Sequence, residues 1–491
     1  MGIRQSTFKL PPVSPAVPLF GLTFRKPDTI TLVLADNNVT TLVSRVCLEM
    51  WKKGFETVGM QSDGSFHLVF KGNPFVIGKR REYAENIKRI CCRLLSELFA
   101  LGYECVLASD LSRYTDFTTW FFEQRAAPDH APAPIIVCLS LSSTDRLQLF
   151  NGNELLKKVL RDTVIESYGP GIQDEEVYDE NTEEEYYEMI LCGQPWFTTS
   201  FDLSIWVRKM ILAIFSAFHR CNYRYYTSAN LKGTADSIFL IYEPDEIDLN
   251  RSSPVQDNTE FCMISLNGNN RLRLLSCTTD VIEATKKTIV EKWPYGFKRQ
   301  LNVADGIVRE FEMGGQPWWA SDGDAISSRA FLSTLFESLL EMGWRIVCSL
   351  DISRRINDKS IFILQSRSPT IRRHFCISFN DVDKIRIIRA RPDVALMVEK
   401  SVIGNWPKGI KREMDYCNSR EIKLKGTPFE PITPNEASLV RVLLCYLLNR
   451  LHKTGCQVIA SSDVSAKFHH KGSSGPNFPF DVHSWFVVRK D

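Results

Sequence analysis

A basic residue and an acidic or amide residue recur as a pair at one fixed spacing along this 491-residue chain. In each of four places the second residue follows the first by 22 positions, as in Lys88 and Asp110. The pairs are Lys88 and Asp110, Arg208 and Asn230, Arg329 and Asp351, and Arg441 and Asp463. Such a pair is either a structural ion pair, which specifies geometry more than it adds stability, or part of a ligand-binding or catalytic site. Four near-identical copies would be unusual for an enzyme, so the structural interpretation is favoured.

Histidines near the end of the chain suggest a metal site. An insertion between Asp463 and Asp481 contains His469 and His470, and His483 follows it. Imidazole nitrogens and a carboxylate oxygen are the ligands that zinc accepts, so His469, His470, His483 and Asp481 are candidate ligands. The alternative is a flexible Gly/Ser loop without metal. No other cofactor is expected.

One stretch of the chain is strongly acidic. Nine acidic residues lie between Asp174 and Glu188, among them Glu175, Glu176, Glu183, Glu184 and Glu185. Tyrosines are interleaved with these acids. Such a segment is typical of a solvated loop or of an edge that binds a partner.

The first six residues match the pattern for N-myristoylation. Gly2 follows Met1, and Ser6 occupies the position where that pattern has Ser or Thr. Acylation of Gly2 would allow peripheral membrane contact, although one myristoyl chain alone binds membranes marginally. The alternative is a chance match.

Composition limits the other functions. The net charge is only +2, which argues against nucleic acid as the partner because phosphate binding needs a basic face. None of the 14 cysteines forms a C-x-x-C pair, and no apolar run reaches the length of a membrane span. We therefore expect a cytoplasmic protein with no transmembrane segment, where cysteines stay reduced.

A recurring sequence motif predicts the fold that positions these residues. Gly, a polar residue, Pro and an aromatic residue recur at domain-sized intervals, each time before a long apolar helix. The four copies span Gly72–Phe75, Gly193–Trp196, Gly315–Trp318 and Gly426–Phe429. Alignment around them predicts an α+β fold of four tandem homologous ββαβαββ domains, each a mostly antiparallel sheet with two helices.

Composition shifts between the copies give the domain boundaries. Residues 1–17 form a Pro-containing flexible tail, and Pro-rich or polar linkers separate the later units. The predicted domains span residues 18–125, 134–243, 258–366 and 372–491.

These features favour a scaffold or adaptor over an enzyme. Four degenerate domains offer a broad composite surface to an unidentified protein partner, and acylated Gly2 would tether that surface to a membrane. The alternative is an enzyme or a small-ligand or metal-binding protein whose specialised site lies in the fourth repeat.

Overall fold

Four α+β domains follow one another along the chain, and each contains a six-stranded antiparallel sheet and two helices. This confirms the predicted fold class. The computed structural model describes residues 8–12, 17–76, 81–112, 116–125, 132–179, 185–231, 235–244, 260–304, 306–353, 359–431, 433–465, 468–470, 477–479 and 482–489.

The domains share one order of elements. Domain 1 contains β1 (Leu19–Arg25), β2 (Thr29–Val33), α1 (Asn37–Met50), β3 (Phe55–Met60), β4 (Phe66–Phe70), α2 (Arg81–Ala100), β5 (Tyr103–Asp110) and β6 (Asp116–Gln124). Domain 2 contains β7 (Ile136–Ser142), β8 (Arg146–Phe150), α3 (Glu154–Ser167), β9 (Ile172–Tyr178), β10 (Tyr186–Leu191), α4 (Phe201–Arg220), β11 (Tyr223–Ala229) and β12 (Ser237–Tyr242).

The second half of the chain repeats this order. Domain 3 contains β13 (Phe261–Asn267), β14 (Arg271–Leu275), α5 (Thr279–Lys292), β15 (Phe297–Val303), β16 (Val308–Met313), α6 (Asp322–Glu341), β17 (Trp344–Leu350) and β18 (Ile361–Ser366). Domain 4 contains β19 (His374–Asn380), β20 (Lys384–Ile388), α7 (Pro392–Asn405), β21 (Ile410–Tyr416), β22 (Ser419–Leu424), α8 (Pro434–Lys453), β23 (Cys456–Ser462), a hairpin of β24 (Phe468–His470) and β25 (Asn477–Pro479), and β26 (Ser484–Arg489).

Each domain has one strand more than the sequence pattern predicts. The extra strand follows the first helix and forms one edge of the sheet, as β3 does in the order β3-β4-β2-β1-β6-β5. Most of its side chains are half-buried or exposed, so it lacks the apolar alternation that marks a core-facing strand. The strand therefore gives little signal in the sequence.

The recurring Gly-x-Pro-aromatic motif connects the sheet to the second helix. Its glycines have positive φ, between 64° and 97°, a conformation that favours glycine. The aromatic side chain that follows is fully buried in every copy. In domain 2 the Trp196 indole Nε1 donates to the Arg146 carbonyl at 2.9 Å. The motif therefore serves the fold.

The second helix of each domain also packs on the first strand of the next domain. Helix α2 contacts β7, α4 contacts β13, α6 contacts β19, and α8 returns to β1 of the first domain. At this last contact Gly21 of β1 faces Arg441 and Cys445 of α8. The four domains thus close into a ring.

The hydrophobic cores extend across the contacts between domains. One cluster joins residues of domains 1 and 4 and reaches domain 2, the second joins domains 2 and 3, and the third joins domains 3 and 4. Burial of apolar surface is the main source of stability, so shared cores hold the domains in fixed positions.

The ring gives each sheet an inner and an outer edge. Strands β5, β11, β17 and β23 form the inner edges and contact one another around the centre of the ring. The extra strands β3, β9, β15 and β21 form the outer edges.

Candidate functional site: the central cavity

The four inner-edge strands enclose a cavity of about 780 Å³. Its wall contains residues of all four domains, and we call it the central cavity. A volume of this size lies within the range of about 300–1,000 Å³ that is typical of small-molecule sites.

Alternate positions of the inner-edge strands, counted back from the residue at or just after the strand end, give four sets of equivalent residues, which we call tiers. Each strand has a bulge at its second-tier residue, and the cavity wall also includes residues that lie between the tiers. The first tier is Glu104, Arg224, Arg345 and Gln457; the second is Val106, Tyr226, Val347 and Ile459; the third is Ala108, Ser228, Ser349 and Ser461; the fourth is Asp110, Asn230, Asp351 and Asp463. The cavity wall includes members of every tier. Its character changes from charged to apolar, then to small and hydroxyl-bearing, and finally to acidic.

The acidic members of the predicted pairs make up this fourth tier, which we call the acidic end. Asp110 and Asp351 line the cavity, and Asn230 and Asp463 occupy the equivalent positions of their own strands.

The basic members of the pairs contact the next domain around the ring. The Lys88 Nζ donates to Gln148 Oε1 at 2.6 Å, the Arg208 Nε donates to Ser265 Oγ at 2.7 Å, and the Arg329 Nε donates to Ser484 Oγ at 2.8 Å. The Arg441 Nη2 lies 2.7 Å from Asp116 Oδ2, and both side chains are buried. These contacts link neighbouring domains, whereas the prediction paired each base with an acid of its own domain. The favoured structural role of the pairs stays a prediction.

Hydrogen bonds join the acidic end from domain to domain. The backbone N–H groups of the fourth-tier residues donate to side chains that lie at or just before the last strand of the preceding domain. Asn230 N donates to Thr118 Oγ1 at 2.8 Å, Asp351 N to Asp236 Oδ2 at 2.8 Å, Asp463 N to Ser360 Oγ at 3.1 Å, and Asp110 N to His483 Nδ1 at 3.4 Å. The last contact closes the ring between domains 4 and 1.

Two carboxyl groups at the acidic end have raised pKa values. Burial, with a further contribution from the charge of Asp110, raises the pKa of Asp236 to about 8. Burial also raises the pKa of Asp463, against the opposing charges of His483 and Lys359. At neutral pH Asp236 is therefore mostly protonated and can donate a hydrogen bond to a ligand.

One position of the acidic end differs in every domain. Each domain has a hydroxyl residue in or next to its last strand, namely Thr119, Ser237, Ser360 or Ser484. The residue directly before it is Thr118, Asp236, Lys359 or His483. The variation makes the end chemically asymmetric, with carboxyl, ammonium, imidazole and hydroxyl groups in equivalent places.

The predicted metal ligands fall in several places. His483 lies at the acidic end, where its Nδ1 is 3.1 Å from Ser461 Oγ. His469 and His470 belong to β24, but their side chains and all of Asp481 lie outside the described residues. Within the part of the chain that the structure describes, no group of three or more His, Cys, Asp and Glu side chains is arranged to hold a metal. The zinc site stays a prediction.

The acidic segment of domain 2 forms a hairpin rather than a loop alone. Glu175 and Glu176 lie on β9, and the Glu175 carboxylate accepts from Arg161 Nε at 2.8 Å. Glu185 contacts Lys157, while Glu183 and Glu184 lie outside the described residues.

Gly2 also lies outside the described residues. Among the helices that the structure describes, none is long and apolar enough to cross a membrane.

Sequence reasoning missed several residues of the cavity wall, including Tyr226, Arg345 and Val347. A signal for them was present in the alignment, because the fourth tier is part of a period-two pattern that continues along the same strand. Following that pattern backwards from the acids gives the other three tiers.

Comparisons with known proteins agree with the repeated architecture. One domain-family model matches the chain four times, over residues 18–123, 135–245, 260–365 and 373–488. No curated protein and no solved structure matches the chain. Because the four matches cover most of its length, the chain belongs to this domain family, as a tandem array of four copies.

Proposed function

We propose that the protein is a non-enzymatic scaffold that holds a protein partner on the outer edges of its ring. The observation that carries this proposal is the closure of the ring, with α8 of the last domain packed on β1 of the first. Closure fixes the positions of the four outer-edge strands relative to one another. A partner that contacts two outer edges would not have to order them on binding. This preorganisation lowers the entropic cost of binding.

The outer edge of domain 2 is the best candidate for the partner surface. Strand β9 lies at the end of its sheet, and its residues Asp174, Glu175 and Glu176 are exposed. An edge strand offers unpaired backbone groups to an added strand, and side chains then supply specificity. The carboxylates favour a partner segment that is extended and basic.

Charge reversal on β9 tests this proposal. The variant Asp174→Lys/Glu176→Lys should lose the partner that co-purifies with the wild-type protein from cells, because like charges repel a basic segment. The matched control is Glu56→Lys, an exposed residue of the equivalent strand β3, and it should retain the partner. If the wild-type protein and both variants recover the partner equally, β9 is not the partner surface.

Acylation of Gly2 would add a membrane tether to this scaffold. The support is the sequence pattern alone. Membrane fractionation should show less of a Gly2→Ala variant in the membrane fraction than of wild type, and identical partitioning would reject the tether.

The central cavity favours a second candidate function, the binding of a small ligand. This corresponds to the predicted alternative of an enzyme or ligand-binding protein, although the site is built from all four domains and not from the fourth alone. The asymmetric acidic end supports it, since polar groups of different chemistry converge on one enclosed space.

A further inference from the structure

Three arginines cluster at the end of the central cavity opposite the acidic end. Arg345 lies in the first tier, and Arg367 and Arg372 belong to the segment that connects β18 to β19. We call these three residues the arginine cluster. All three line the cavity, together with the hydroxyl-bearing residues Ser368 and Thr370.

The arginine cluster is not balanced by carboxylates. Within the described residues, none of the three guanidinium groups forms a salt bridge, and the Arg367 Nε donates to the neutral Gln365 Oε1 at 3.2 Å. Nearby Arg373 and Arg389 differ, because both pair with Glu337, at 3.0 and 3.4 Å. Arg345 and Arg367 are exposed at this end of the cavity, and Arg372 is half-buried. Partial desolvation and the charges of Arg367 and Arg372 lower the pKa of Arg345. The repulsion within the cluster would be relieved by an anion.

We propose that the arginine cluster binds the phosphate group of a phosphorylated small molecule whose remainder lies in the central cavity. Guanidinium groups match phosphate oxygens with paired N–H donors, and such charge-assisted hydrogen bonds are the strong ones. The hydroxyls of Ser368 and Thr370 supply further donors at the same end. This proposal rests on the second function above, the binding of a small ligand in the cavity.

The tiers beyond the arginine cluster define the rest of the ligand. Val347 and Ile459 of the second tier offer apolar contact to its body. Ser349 and Ser461 of the third tier, and the carboxyl groups of the acidic end, can accept hydrogen bonds from hydroxyl or amino groups. A phosphate ester fits the cavity if its middle is apolar and the end away from the phosphate is polar.

The volume of the central cavity, about 780 Å³, is that of a site for a single small molecule. Apolar, hydroxyl and acidic groups line the cavity beyond the arginine cluster, and only a ligand small enough to enter would contact them. We therefore assign the phosphate to a small molecule.

Isothermal titration of the full-length protein with inorganic pyrophosphate and with phenyl phosphate tests the proposal. The wild-type protein should bind both probes, and Arg345→Gln or Arg372→Gln should each weaken binding at least about tenfold, since each removes charged hydrogen bonds. The matched control Arg299→Gln changes an exposed arginine on the outer-edge strand β15, and it should bind like wild type. Absence of binding to the wild-type protein, or equal binding by all variants, would overturn the proposal.

A thermal shift provides a second readout, because a ligand that binds only the folded state raises the unfolding temperature. Pyrophosphate should raise the midpoint of the wild-type protein and of Arg299→Gln, and not that of Arg367→Gln. A rise of equal size in Arg367→Gln would count against the arginine cluster.

The cavity function can be separated from the phosphate proposal. Mass spectrometry of small molecules extracted from the purified protein should detect a phosphorylated compound that is lost in Ser349→Trp, a change that fills the third tier. If the compound that is lost in Ser349→Trp contains no phosphate, the cavity still binds a ligand, but the phosphate proposal is wrong. Extracts that contain no compound sensitive to Ser349→Trp would reject both.

Discussion

The polar residues around the central cavity divide into those that hold neighbouring domains together and those that line the cavity. Arg208, Arg329 and Arg441 are buried and bond to the next domain, so they act at the interfaces. Asp236 is only partly buried and lines the cavity. Asp is common in turns by default, so its place just before the last strand of domain 2 does not indicate a residue of the cavity wall.

The raised pKa of Asp236 predicts a pH-dependent stability. Its folded-state pKa of about 8 lies above the value of about 3.9 for an unfolded Asp. Between these values the unfolded state binds fewer protons than the folded state, so stability is lost as the pH rises through this window. The isosteric change Asp236→Asn keeps an acceptor for the Asp351 N–H and removes the titration.

We therefore expect Asp236→Asn to gain stability relative to wild type as the pH rises from 5 to 8. The gain should be about 2–3 kcal/mol in the free energy of unfolding, a value reduced for the partial solvent access of this group. Urea unfolding of both proteins at several pH values measures it. A difference that does not change with pH would show that Asp236 titrates normally.

At the scale of elements, the sequence predicts the helices and strands that have a clear apolar pattern and misses the strands that lack one. The helices were found from apolar residues three and four positions apart, as in α8. The residues that follow the second helices, Gly102, Asn222, Gly343 and Gly455, all have positive φ, and Gly or Asn at such a place indicates where a helix ends. The outer-edge strands were missed because few of their residues are buried. The second face of α8 was missed as well, although consecutive buried residues from Glu436 to Cys445 indicate contact on several sides.

Asn222 gives a test at this scale. It occupies the left-handed position after α4 with φ of 64°, where the other domains have Gly. Asn222→Gly should leave the thermal midpoint equal or higher, because Gly has no Cβ to disfavour this conformation. Asn222→Ala should destabilise by about 1 kcal/mol, because Ala keeps the Cβ and lacks the short polar side chain that lets Asn adopt this conformation.

Gly343→Ala serves as the comparison for this series. Its new Cβ would lie 2.4 Å from the Arg367 carbonyl oxygen, so it should destabilise more than Asn222→Ala. Equal midpoints for Asn222→Gly and Asn222→Ala would contradict the helix-ending role of this position.

At the scale of the whole molecule, closure of the ring is the feature that the sequence could not provide. Repeat spacing gives four domains, and it is equally compatible with separate beads or with two pairs. The contacts that close the ring join residues far apart in the chain, such as Arg441 with Asp116 and His483 with Asp110, and the repeat pattern does not indicate these pairings. Both proposed functions depend on closure, since it fixes the outer edges and encloses the central cavity.

A cysteine pair across the seam between domains 1 and 4 tests closure most directly. The hydroxyl oxygens of Ser109 on β5 and Ser461 on β23 are 2.7 Å apart, although 352 positions separate the two residues. In Ser109→Cys/Ser461→Cys, mild oxidation should form a disulfide, because the side chains already lie within reach. Mass spectrometry of the non-reduced digest should find the two strand peptides joined, with neither single variant giving that product. Recovery of the two peptides only as separate species would contradict the closed ring.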